Sequence, residues 1–106
     1  MPTIEQLLGV WISGMLNSKA TDKKGYNLVF DFDRLPFDNF TVGKVHVVKG
    51  KKSTQHLSGE LSLVDSDTPG EFFINLGDVQ IMARKFDENS FIANIDQYGE
   101  IEFTRK

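Results

Sequence analysis

From Tyr26 to Arg105, apolar side chains recur at every second position, in short bursts separated by Gly, Asp, Asn, Ser or Pro. A two-residue period belongs to a strand with one face buried and one wet. Tyr26, Leu28, Phe30 and Phe32 share one parity of a strand over Tyr26–Asp33. Leu57, Leu61 and Leu63 repeat the pattern, as do Phe72, Ile74 and Leu76, then Val79, Ile81 and Ala83. Phe91, Ala93 and Ile95 follow, and Ile101, Phe103 and Arg105 close the series. The breaks are short. Pro69-Gly70 suits the centre of a turn, and Gly77-Asp78 suits a two-residue type II′ hairpin because glycine stands first. Short connections make sequential strands antiparallel neighbours.

The chain ahead of the rhythm adds two elements. Thr3 is placed to cap a short helix beginning near Ile4, with Gly9 ending it. A first strand is expected over Val10–Leu16, with Trp11, Ser13 and Met15 on one face. A polar stretch, Asn17–Gly25, follows as a loop. Strand three, Phe40–Val48, changes phase: Phe40 and Val42 share one parity, Val45 and Val47 the other. A bulge at Gly43-Lys44 would bring both pairs onto one face. That gives eight strands, and closure would remove the exposed edges of so regular a sheet. The expected fold is all-β: a single eight-stranded antiparallel up-and-down barrel, with a short N-terminal helix, in one domain over residues 1–106.

Composition removes several functions. With 106 residues and no cysteine, the chain can build a core without staples and has no thiol chemistry. Its net charge of −3 lacks the basic footprint of a nucleic-acid binder. No run is long enough to span a membrane. No signal peptide is visible at the N-terminus, so the chain as it stands reads as cytoplasmic.

Few residues suggest chemistry. A symmetric Lys49–Ser53 turn would set His46 opposite His56, with Cβ atoms about 4.5–5.5 Å apart. A metal site needs a third ligand, which neither Lys44 nor Glu60 supplies, so no metal is expected. Lys44, Lys49, Lys51 and Lys52 read as a charged hairpin tip. Asp65–Glu71 lacks the spacing of a calcium loop. Asn39-Phe40-Thr41 fits a glycosylation sequon. Tyr26, His46 and Asp96 are the groups an isomerase or hydratase would draw on, but no motif joins them. No catalytic residue and no cofactor are assigned.

Gly9-Val10-Trp11, after a short N-terminal helix and at the start of the first strand, resembles the Gly-x-Trp of the lipocalins and their calycin relatives. In that family the tryptophan lies across one barrel end beneath a basic residue from the last strand. The resemblance implies that Gly9, Trp11 and Arg105 close the barrel here. A guanidinium over an indole is worth roughly 0.5–2 kcal/mol. The resemblance also implies a small apolar or amphipathic ligand held in or at the mouth of the barrel. The candidate lining is Tyr26, Leu28, Phe30, Leu61, Phe72, Ile74, Ile81, Phe91 and Phe103. The alternative is an interaction or assembly module in which those rings fill the core. Phe73, Val10, Ile12 and Val29 would then form an outer apolar patch suited to a homodimer.

Overall fold

A computed structural model describes residues 1–16, 25–36 and 40–106. The expected polar loop falls largely outside the described residues, as does Asn39 of the sequon. Thr3 caps α1 (Ile4–Leu7) through a reciprocal pair of bonds. Its hydroxyl accepts from the Gln6 N–H (3.2 Å), while Gln6 Oε1 accepts from the Thr3 N–H (2.8 Å). Eight strands follow: β1 (Gly9–Ser13), β2 (Asn27–Leu35), β3 (Phe40–Lys49), β4 (Lys52–Asp65), β5 (Glu71–Leu76), β6 (Val79–Arg84), β7 (Ser90–Ile95) and β8 (Gly99–Arg105). Each pairs antiparallel with the next, and β8 returns to β1 at Trp11↔Arg105, Ile12↔Thr104 and Ser13↔Phe103. The sheet is therefore a closed up-and-down barrel. Among the described residues, no helix is long and apolar enough to cross a membrane.

The alternation puts one side chain in two inside. Leu28, Phe30 and Phe32 of β2 are buried, as are Phe72, Ile74 and Leu76 of β5 and Phe91, Ala93 and Ile95 of β7. Leu7 projects from α1 into the same core and plugs one end. Phe30 is the hub of the rings, 5.0 Å from Phe32, 4.7 Å from Phe103 and 5.7 Å from Phe91 between centroids. Offset and edge-on contacts at these separations add to the area the rings bury.

Three features depart from the sequence reading. The first strand stops at Ser13 rather than Leu16. There the Ser13 hydroxyl accepts the Leu28 N–H (2.8 Å), so a side chain takes the bond that a ladder would supply. Pairing reappears as a single bridge between Leu16 and Tyr26, and Met15 is exposed. Gly43 carries no bulge. It pairs in register with Phe32 on one side and Gly59 on the other. Phe40 and Val42 face outward, half-buried, while Thr41 faces in and its hydroxyl donates to the Leu61 carbonyl (3.1 Å). The bonded hydroxyl is what lets a polar residue hold an inward place. The bulge lies on β4: Val45 pairs with Leu57 but His46 pairs with Gln55, leaving His56 as the extra residue.

The long β4 pairs with β3 along its first part and with β5 from Leu61 onward. At the changeover the Gly77 N–H donates to the Glu60 carbonyl (3.0 Å), so the β5–β6 hairpin rests on β4 at Gly59-Glu60. Gly77 has φ +60, as the first place of a type II′ turn requires.

The β6–β7 connection yields a pH-dependent expectation. The Asp87 carboxylate accepts backbone N–H groups from Asn89 (2.7 Å) and Ser90 (2.9 Å). These bonds hold its carboxyl below the ordinary value of 3.8. A depressed folded value stabilises the protein above that ordinary value, and the contribution fades as pH falls through the folded one. Asp87→Asn keeps an acceptor and loses the titration. The Tm gap between wild type and Asp87→Asn should therefore be open at pH 7 and narrow steadily below pH ~4. A gap that stays constant down to pH ~2 in thermal melts would contradict this assignment of the carboxylate.

Candidate functional site

The barrel has two unlike ends. At the α1 end, Trp11 is fully buried and its Nε1–H donates to the Leu7 carbonyl (2.8 Å). Arg105 lies over the indole with Cζ 4.0 Å from the ring centroid. Its guanidinium donates to three carbonyls: Leu8 (2.9 Å), Gln6 (2.7 Å) and Glu88 (3.1 Å). One planar fork thus gathers the end of α1 and the β6–β7 connection onto the last strand. Gly9 has φ +122, and a Cβ there would meet Arg105 Nη1 at 3.0 Å. Glycine is required both for the backbone angle and for the close passage of the guanidinium. At this end the Trp11 indole N–H and the Arg105 guanidinium are both engaged by backbone carbonyls.

The opposite end gathers aromatic side chains. Tyr26, half-buried before β2, meets the Tyr98 ring from the β7–β8 turn edge-on at 5.8 Å. Tyr98 also meets His56, the bulge residue, edge-on at 5.7 Å. The Tyr98 ring therefore spans the rim between β2 and β4. Lys49 Nζ stands 5.9 Å from the Tyr26 centroid. Two clefts open here and share His56 as a wall. One, of about 330 Å³, is bounded by Val47, Lys52, Thr54 and Tyr98. The other, of about 480 Å³, is bounded by Leu57, Ile81, Met82, Asn94 and Asp96. Both fall in the size range of small-molecule sites.

The candidate lining residues divide by position. Leu28, Phe30, Leu61, Phe72, Ile74, Ile81, Phe91 and Phe103 are each 2 % exposed or less. Phe91 and Phe103 stack at 5.5 Å, which continues the ring cluster around Phe30. Ile81 reaches the wall of the larger rim cleft. Phe72 borders a separate cleft of about 540 Å³ beside Pro2, Gln6 and Phe86 at the α1 end. Tyr26 is at the rim itself. His46 lies on the outer face between Val29 and Gln55, one register step away from the histidine pairing that a symmetric turn would give. Asp96 borders the larger rim cleft. Among the described residues, no three His, Cys, Asp or Glu side chains gather as a metal site.

On the outer face, Arg84 Nε donates to Glu100 (2.7 Å) across β7 and holds that carboxyl below its usual range. The pair braces β6, β7 and β8 where the β6–β7 ladder is intact, at Ala83↔Ala93 and Arg84↔Ile92. Tyr98 was not legible as a site residue, and His56 was singled out only as a partner for His46. Tyr98 reads as part of a turn, and its one signal is an aromatic where turns favour small polar residues. Compared with protein-family models, with curated proteins and with solved structures, the chain matches none.

Proposed function

We propose that this chain is a small, non-enzymatic, lipocalin-like binding domain that holds one small amphipathic molecule at the barrel end opposite α1. The observation that carries this reading is the aromatic rim: Tyr98 spans Tyr26 and His56 at the edge of the smaller cleft, and His56 is the wall shared with the larger one. Amphipathic rings at a cleft edge offer apolar contact to a ligand body and a hydroxyl or imidazole to its head. The rings behind the rim pack on one another, which favours a ligand at the mouth over one drawn along the barrel axis. The clasp of Gly9, Trp11 and Arg105 supports the lipocalin-like assignment. The test is a fluorescence titration with N-phenyl-1-naphthylamine, an uncharged apolar probe. The reading expects saturable one-to-one binding; a signal that never saturates would overturn it.

A second reading, an assembly module, is favoured by one row on the outer face. Val64, Phe73 and Met82 are direct cross-strand neighbours on β4, β5 and β6, with Val64 44 % and Met82 42 % exposed. Contiguous exposed apolar surface of this kind suits a second copy. Sedimentation velocity at micromolar concentration should then show a dimer that Phe73→Ser abolishes. A monomer across the whole concentration range would remove this reading.

A further inference from the structure

We propose that the apolar part of the ligand lies in the lateral gap between β6 and β7, and that its head group is uncharged or cationic. This inference rests on the binding reading above and gives it a place and a ligand class. The β6–β7 ladder stops at Ala83↔Ala93. Continued in register, it would pair Met82 with Asn94 and Gln80 with Asp96, and those pairs do not form. In the two-residue β5–β6 hairpin, Leu76 and Val79 form the bonded pair that closes the turn. Alternation then points the peptide groups of Gln80 and Met82 toward β7; the Ala83↔Ala93 pair engages the Met82 carbonyl, and beyond it no pairing reaches Gln80. The β6–β7 ladder is thus open along a seam from Gln80 toward the β5–β6 turn.

The cleft of about 480 Å³ lies in that seam. Its walls come from both faces of the sheet: Leu57 and Ile81 belong to the inward parity, Phe73 and Met82 to the outward one. An alkyl or aryl group in the cleft therefore has residues of both parities beside it where the ladder is open. The polar groups around it are the amides of Gln80, Asn94 and Gln97, the Asp96 carboxylate and the His56 imidazole, with no Lys or Arg among them. Hydroxyl, amide or ammonium heads find partners there, and an anionic head meets Asp96 without a compensating Lys or Arg.

The test is a two-dimensional amide NMR titration of the wild-type protein with n-octanol, n-octylammonium and octanoate, which share one tail. Saturable shifts are expected at Gln80, Met82, Asn94 and Asp96 for the first two, with octanoate at least tenfold weaker. Asp96→Asn should bring octanoate to within about threefold of octylammonium. Equal affinity for all three heads would overturn the head-group assignment. Saturable shifts confined to Val47, Lys52, Thr54 and Tyr98 would overturn the seam and leave the rim reading standing. No saturable shift with any probe would overturn both.

Discussion

Trp11→Ala should destabilise the barrel by about 4 kcal/mol, within the range for losing a large buried aromatic. Three losses coincide at this residue. The indole fills space against Phe91 (4.8 Å) and Phe86 (6.1 Å), so its removal leaves a cavity. The Leu7 carbonyl loses its donor at the end of α1. Arg105 loses the ring beneath it. In a domain of this size the loss corresponds to a Tm lowered by roughly 20 °C. Arg105→Ala should cost less, about 2 kcal/mol, because it removes charge-assisted bonds to three carbonyls but opens no core cavity. Arg105→Lys should recover only part of that, since one ammonium cannot reproduce a planar fork. Urea unfolding of the three variants checks the order. Arg105→Ala costing as much as Trp11→Ala would mean the clasp, and not the buried ring, holds this end.

Gly59→Ala should cost about 3 kcal/mol, although the change adds one methyl group and creates no cavity. A Cβ at Gly59 would stand 2.6 Å from the Leu76 carbonyl carbon and 2.9 Å from Gly77 Cα, and closer still to the Gly77 nitrogen. All three are backbone atoms of the β5–β6 hairpin, so no rotamer change relieves the overlap. Either β4 or the hairpin must move, and the Gly77 N–H to Glu60 carbonyl bond breaks with the movement. Gly14→Ala is the control: a Cβ there meets nothing within 4 Å and the backbone angle is ordinary. Its effect should stay within about 0.5 kcal/mol of zero. Equal melting temperatures for the two alanine variants would show that β4 and the hairpin do not pack as closely as described.

These two residues mark where the sequence was and was not legible. The alternation through Phe30, Ile74, Ile81, Phe91 and Phe103 is a local signal, and it identified strands whose buried faces agree with it. The Gly9-x-Trp11 spacing and the inward parity of Arg105 likewise needed nothing beyond the chain order. Gly59 reads as a glycine in a strand, and nothing in its neighbours names the hairpin that lies against it. That contact is a product of the β4 changeover, a tertiary event. The phase of β3 was misread for a related reason. Phe40 and Val42 are apolar and suggested an inward face, but an inward hydroxyl satisfied by the Leu61 carbonyl gives Thr41 that face instead. Histidine register depended on a bulge whose place is set by pairing across strands, so His46 meets Gln55 and His56 turns to Tyr98. The rim and the seam are made by residues from turns and strand ends, where periodicity carries no signal.

The aromatic rim is the centre of the functional account, and Tyr98 is its most direct probe. The residue is half-buried in a turn, so Tyr98→Ala can be compared with wild type at matched Tm. The measurement is the dissociation constant for N-phenyl-1-naphthylamine in the two proteins. Tyr98→Ala should weaken binding about tenfold, which corresponds to about 1.4 kcal/mol of lost ring contact. Equal affinity in a folded Tyr98→Ala variant would contradict a ligand seated against the aromatic rim.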